Sequence, residues 1–406
     1  MRTSILLLAS LFAHPTQEPA ATSPRDLAAI LRPIRDKHDL PALDGAIVEG
    51  GTLVAIGADG VRRRGSEEKV TVEDRFHLGS CTKSMTATMI ATLVEEGKLS
   101  WRTTVGEVFP DLGDGMRPAW KSVTLEQLLT HRSGAPADLK EGGLWARLWK
   151  REGTPTEQRM RLLEGVLARE PEAAPGAKFV YSNAGYAIAG AMAEKVAGKA
   201  WEDLMRERVF APLGMSSAGF GAPGTAGKLD QPLGHTAQGE PVELGPGDDN
   251  PPAIGPAGTA HMTLADWARY VSLHLEGDRR ALRSGDSKDA QLLSAETFAK
   301  LHSPPEIADS TYAMGWGIAE RGWADGRVLT HAGSNTMWFC VVWMVPRKDF
   351  AVLVAANQGG EAATKACDEA ASALIQDRVR ARASELAERR RREKEEAWKE
   401  KRKDDR

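Results

Sequence analysis

A serine hydroxyl is a poor nucleophile near neutral pH and becomes reactive only beside a positioned base. Ser80 and Lys83 stand three residues apart in Phe76-His77-Leu78-Gly79-Ser80-Cys81-Thr82-Lys83, opening a segment in which Met85, Met89 and Leu93 recur at helical spacing. On a helix that separation puts both side chains on one face, a single turn apart. The positive end of the helix dipole favours negative charge developing on the serine oxygen. A lysine can act as base only with a lowered pKa, and the apolar face that continues the helix predicts the burial that lowers it. The chemistry implied is acyl transfer through a covalent serine intermediate.

Ser-x-x-Lys alone says little. A second copy, Ser66-Glu67-Glu68-Lys69, occurs in the same chain, and about one chance match is expected at this length. That copy lies in a run of charges without apolar periodicity, which predicts a solvated loop. Two further groups narrow the reading. Tyr181-Ser182-Asn183 follows Pro175-Gly176 and the extended pair Phe179-Val180, and of the four tyrosines only Tyr181 has asparagine two residues on. His331-Ala332-Gly333-Ser334 closes a predicted strand. His77-Leu78-Gly79 shares the His-x-Gly form but opens the nucleophile helix, so it does not belong to an opposing strand. Read singly, Tyr181, Asn183 and His331 are as well explained by ring packing, a turn and a strand end.

As an ordered set, these residues resemble the motifs of the serine β-lactamase and penicillin-binding-protein family. The class C branch, with its D-alanyl-D-alanine carboxypeptidases and related carboxylesterases, is the nearest by motif. Phe76 ahead of Gly79, Leu128-Leu129-Thr130-His131-Arg132-Ser133-Gly134 and Pro212-Leu213-Gly214-Met215 add to the match. So do Gly258 with Thr263 to Asp266, Met314-Gly315-Trp316-Gly317 and Ala356-Asn357, and the likeness runs over about residues 25–376. It implies Ser80 as nucleophile, Lys83 as its base and Tyr181 as a proton relay to the leaving group and the deacylating water. Asn183 would hold the substrate's carbonyl side and Lys83, and His331, Gly333 and Ser334 would line the substrate. The backbone N–H groups of Ser80 and Ser334 would form the oxyanion hole. No cofactor and no metal are implied.

Two departures bear on the substrate. Many relatives carry lysine where this chain has His331, and a histidine of ordinary pKa, about 6.5, is mostly neutral at slightly alkaline pH. Efficient penicillin turnover is therefore doubtful, whereas esters and D-amino-acid peptides remain open. The stretch Ser334-Asn335-Thr336-Met337-Trp338-Phe339 also lacks the glycine-rich run common in the family. Trp316 and Trp338 are candidates for an acyl pocket or for core packing, and Cys81 reads as a small buried hydrophobe. A non-catalytic module that keeps the fold and binds peptidoglycan or a partner is the competing reading, and the intact Ser80, Lys83 and Tyr181 speak against it.

The elements that must position these residues follow from periodicity. Ser23-Pro24 reads as a helix N-cap and first turn before Leu27, Ile30, Leu31 and Ile34. Residues 44–58, split by Gly50-Gly51, read as a β-hairpin. Residues 100–230 form a mostly helical insert, with Thr124 as an N-cap and Gln127 at the capping-box position. A helix from Thr263 to about Leu275 precedes apolar runs at Val328–His331, Phe339–Val345 and Phe350–Ala356, and a last helix starts near Glu361. That order predicts an α/β chain of the α+β type: an antiparallel sheet flanked by the N- and C-terminal helices, with the helical lobe inserted.

Composition sets the outer bounds. A chain of 406 residues with net charge −3 has no bias toward nucleic acid. Three scattered cysteines make no disulfide framework, and no metal-ligand spacing or His-Glu-x-x-His occurs. Met1-Arg2, the apolar run Ile5–Ala13 and the small residue Ala13 predict a signal peptide over residues 1–20, hence export to the periplasm or medium. The hydrolase domain is expected over residues 21–377. Residues 378–406 carry 13 Lys and Arg against 8 Asp and Glu, a charged extension open to weak contact with an envelope surface.

Overall fold

The computed structural model describes residues 23–282, 292–307 and 310–404, so the expected signal peptide lies outside the described residues. Seven strands form one sheet: β1 (Arg25–Asp26), β2 (Ala42–Glu49), β3 (Thr52–Gly60), β4 (Gly317–Arg321), β5 (Gly326–Ser334), β6 (Phe339–Val345) and β7 (Phe350–Ala356). Their spatial order is β1-β3-β2-β7-β6-β5-β4. Only the short β1 runs parallel to its neighbour; the remaining pairs are antiparallel. The hairpin and the late meander fall where alternation and turn residues predict them. Strand β4 was not expected, because Gly317-Ile318-Ala319-Glu320-Arg321 is a half-exposed edge without an apolar run.

Helix α1 (Ala28–Lys37) and helix α6 (Gly360–Asp404) cover one face. Leu31 and Ile34 of α1 meet Ala363, Ala366, Cys367, Ala370 and Leu374 of α6 over Ile47, Val341, Val352 and Val354 of the sheet. Helix α1 starts at Ala28 rather than at Pro24. Arg25 and Asp26 pair with Ala55 and Ile56 instead, and Asp26 Oδ1 accepts the Ala28 N–H at 2.9 Å, while the N-cap position, Leu27, has no side-chain cap. From Ala383 to Glu396 the side chains of α6 are exposed, with i,i+4 ion pairs such as Arg389–Glu393.

The other face carries helix α2 (Thr82–Glu95), helix α5 (Leu264–Leu282) and the helical lobe. Helix α2 is buried on all sides from Thr82 to Leu93, not on the single Met85-Met89-Leu93 face that its spacing suggested. Its threonines make this possible by bonding to main-chain carbonyls: Thr86 to Pro256, Thr88 to Ser84, Thr92 to Met89. In the lobe, helix α3 (Pro155–Leu167) and helix α4 (Asn183–Ala197) are tied by Arg159, which bonds Glu194 at 2.9 Å, Glu202 at 3.0 Å and the Pro252 carbonyl at 3.0 Å. That buried triad holds the segment Pro252–Gly258 against α2. The capping box at Thr124 and Gln127 forms as its sequence predicts.

Candidate active site

Ser80 lies in the turn Gly79–Cys81, which leads directly into α2. Lys83, one turn further, is fully buried. Its Nζ lies 3.0 Å from Ser80 Oγ, 2.8 Å from Asn183 Oδ1 and 2.8 Å from the Ala257 carbonyl oxygen. Burial pulls its pKa down from 10.5 to about 7, against a smaller opposing pull from Cys81. Two of the three partners can only accept. In the neutral amine the two protons therefore point to Asn183 and Ala257, and the lone pair faces the Ser80 hydroxyl. The arrangement is that of a base waiting on a nucleophile.

Tyr181 completes the cluster from the loop ahead of α4. Burial raises its pKa to about 12, against a smaller lowering by Ser80, so it stays a neutral phenol that can pass a proton on. Lys83 Nζ sits 4.8 Å from the centre of its ring. Asn183 opens α4, with Ser182 as N-cap to Gly185. The ring of His131 lies 4.3 Å from that of Tyr181. His131 Nδ1 accepts the Ser182 N–H at 3.1 Å, and its carbonyl accepts the Val180 N–H at 2.8 Å. Burial pushes its pKa to about 2, so the ring remains uncharged beside Lys83. The sequence marked His131 only as part of a longer match. Its signal was a histidine inside Leu-Thr-His-Arg-Ser-Gly, with nothing local to link it to residue 182.

His331, Gly333 and Ser334 stand at the end of β5, facing the nucleophile turn. A Cβ on Gly333 would lie 2.0 Å from the Leu78 carbonyl oxygen, and a Cβ on Gly79, which has φ of +47°, would lie 2.3 Å from the Ser334 nitrogen. Both positions need glycine, since strand and turn meet backbone to backbone. His331 Nδ1 lies 2.6 Å from the Ala332 carbonyl oxygen and Nε2 lies 2.9 Å from the Tyr312 hydroxyl. A carbonyl must receive a proton, so Nδ1 carries one, and Nε2 pairs with the Tyr312 hydroxyl. Both nitrogens are thus engaged inside the protein. A cavity of about 620 Å³ opens beside Tyr181 and His331, lined further by Tyr312, Phe339, Trp343 and Lys365.

The structure brings Ser80, Lys83, Tyr181, Asn183, His331, Gly333 and Ser334 to one place from three separate stretches of chain. The second Ser-x-x-Lys stays apart: Ser66 turns back onto the Arg63 carbonyl in a loop, and Lys69 is exposed. Trp316 and Trp338 are buried, the latter edge-on against Phe76, so they serve the core rather than an acyl pocket. Cys81 is buried as expected, 3.6 Å from Cys340 Sγ.

A sheet flanked by two terminal helices on one face and a helical lobe on the other, with serine and lysine at the start of a buried helix, is the architecture of the β-lactamases and penicillin-binding proteins. The Beta-lactamase family model matches residues 27–376, and the chain belongs to that family, whose members are serine hydrolases. It is 28% identical over 337 residues to penicillin-binding protein 4 of Amycolatopsis lactamdurans, covering 80% of this chain and 83% of that one. It is 26% identical to an unguisins hydrolase of Aspergillus campestris, over 82% of this chain but 61% of the relative's length. Among solved structures it resembles the octameric penicillin-binding protein homologue from Pyrococcus abyssi, with TM-score 0.66 and 26% identity over 86% of this chain and 76% of that one.

Proposed function

We propose that this chain is an exported serine hydrolase that cleaves ester or amide bonds through an acyl-enzyme on Ser80, acting as a carboxylesterase or D-alanyl-D-alanine carboxypeptidase. The observation that carries the reading is the environment of Lys83, whose two acceptor-only partners direct its lone pair at Ser80. In the first step neutral Lys83 takes the Ser80 proton as Oγ bonds the substrate's carbonyl carbon. The oxygen of that carbonyl becomes an anion between the N–H groups of Ser80 and Ser334. Collapse breaks the bond to the leaving group, which takes a proton through Tyr181 from protonated Lys83. Water then adds to the acyl-serine by the reverse relay and frees the acid. The test is a burst of p-nitrophenol from p-nitrophenyl butyrate, at about one equivalent per chain, with the butyryl mass on the peptide that contains Ser80. A steady release with no burst and no adduct would count against a covalent route.

Neutral esters are preferred over substrates that carry a carboxylate, penicillins and peptides with a free C-terminus alike, because both ring nitrogens of His331 are already engaged and neither is free to hold a carboxylate. To hold one it must give up its contact with Tyr312. An ammonium at this position would be charged throughout the working range. His331→Lys is therefore expected to raise the second-order rate of acylation by benzylpenicillin about tenfold, the value of one modest charge-assisted hydrogen bond. Turnover of the neutral ester should stay within a few-fold. Stopped-flow acylation with a fluorescent penicillin measures the first effect, and no gain there would remove His331 as the determinant.

A further inference from the structure

The two halves of the oxyanion site come from distant parts of the chain, the turn ending at Ser80 and the end of β5 at Ser334. Backbone contact at Gly79 and Gly333 limits how closely they approach. It does not fix how they slide past one another. A buried carboxylate, Asp249, reaches both. Its Oδ2 lies 2.9 Å from His77 Nε2, and its Oδ1 lies 2.9 Å from Asn335 Nδ2. His77 Nδ1 accepts the Gly79 N–H at 3.1 Å, which leaves the ring's single proton on Nε2, facing Asp249. Asn335 follows Ser334 directly, and its Oδ1 accepts the Met337 N–H at 3.2 Å, closing the turn beyond the strand.

Asp249 is itself held. The Asn250 N–H donates to its Oδ1 at 2.7 Å, and the Arg151 guanidinium bonds its main-chain carbonyl. His77, Asp249 and Asn335 are all buried, so their bonds do not compete with water. His77, just ahead of the nucleophile turn, and Asn335, just after Ser334, thus meet at one carboxylate.

We propose that Asp249 is a positioning residue that sets the spacing and alignment of the Ser80 and Ser334 N–H groups, acting through His77 on one side and Asn335 on the other. The inference rests on the acyl-enzyme reading above. Donors aimed at the developing oxyanion act in the transition state, so their displacement lowers kcat and leaves substrate binding largely intact.

The test exploits hydrogen-bond direction. In Asp249→Asn one carboxylate oxygen becomes an NH₂ group, so the link to either His77 or Asn335 is lost. Adding Asn335→Asp restores the bridge, because the new amide donates to the new carboxylate while its oxygen still accepts from His77; only the Asn250 N–H loses its acceptor. For p-nitrophenyl butyrate, Asp249→Asn is expected to lower kcat about 50-fold with KM within about three-fold, the range seen when an oxyanion donor is lost or misplaced. Affinity for phenylboronic acid, which bonds serine as a tetrahedral adduct, should fall by a similar factor. The double variant should recover to within about five-fold of wild type. Equal activity of the single and double variants, or a loss confined to KM with boronate affinity intact, would overturn the proposal. If Asp249→Asn does not fold, as judged by near-ultraviolet circular dichroism, Asn335→Ala carries the test, with kcat and boronate affinity falling together by about tenfold. An unchanged kcat in that variant overturns it equally. Failure of the acyl-enzyme reading shows separately, as the lack of both a burst and a Ser80 adduct in wild type.

Discussion

Ser80→Ala is expected to abolish acylation, and Lys83→Ala to cost nearly as much, each lowering kcat by at least about 10⁴-fold. The reason is the shared geometry. Lys83 Nζ at 3.0 Å is the one amine within reach of Ser80 Oγ among the described contacts, and Tyr181, with its pKa raised to about 12, is a poor substitute base. Removing either member leaves the other without a function, so the double variant should be little worse than either single one. Lys83→Ala also strips the donor from Asn183 Oδ1 and the Ala257 carbonyl, so its fold should be verified by circular dichroism before its rate is read. Lys69→Ala, in the loop copy of the motif, should change nothing. The measurement is the p-nitrophenol burst and the second-order acylation rate for all four proteins. Activity within about tenfold of wild type in Lys83→Ala would mean that another group takes the proton.

Much of this site was legible in the sequence because its parts obey local rules. Serine and lysine three apart before an apolar run fix a helix face, and Thr124 with Gln127 fixes a cap. The hairpin at Gly50-Gly51 and the meander ending at Ala356 follow from alternation and turn residues. What stayed hidden depends on contacts between remote segments. The all-round burial of α2 cannot be read from Thr86, Thr88 and Thr92, which look polar until their hydroxyls find carbonyls. The start of α1 moved because β1 pairs with β3, a partner some thirty residues away. His131 and Asp249 escaped for the same reason: each acts on residues that lie 51 and 172 or 86 positions away in sequence. Trp316 and Trp338 show the opposite failure, since a large aromatic beside a motif suggests a pocket when it only fills the core.

The pH dependence of acylation should carry the mark of Lys83. Only the neutral amine can accept the Ser80 proton, and burial has brought the pKa of that group down from 10.5 to about 7. Below that value the ammonium predominates, its lone pair is gone, and kcat/KM for a neutral ester should fall tenfold for each pH unit. From the plateau above pH 8 to pH 5 the expected loss is about 100-fold. No matching alkaline limb should appear up to about pH 10, because Tyr181 ionises only near 12 and keeps its proton throughout. His131, held neutral by burial with a pKa of about 2, adds no inflection in this window. A neutral substrate is needed so that its own ionisation does not shape the curve, and kcat/KM is the quantity to follow because it reports the free enzyme. Lys83→Arg offers a control of fixed charge: a guanidinium stays protonated at every accessible pH, so this variant should be inactive across the range rather than shifted along it. A wild-type profile flat between pH 5 and 8 would show that Lys83 does not titrate in the step that forms the acyl-enzyme, and the base would have to be sought elsewhere.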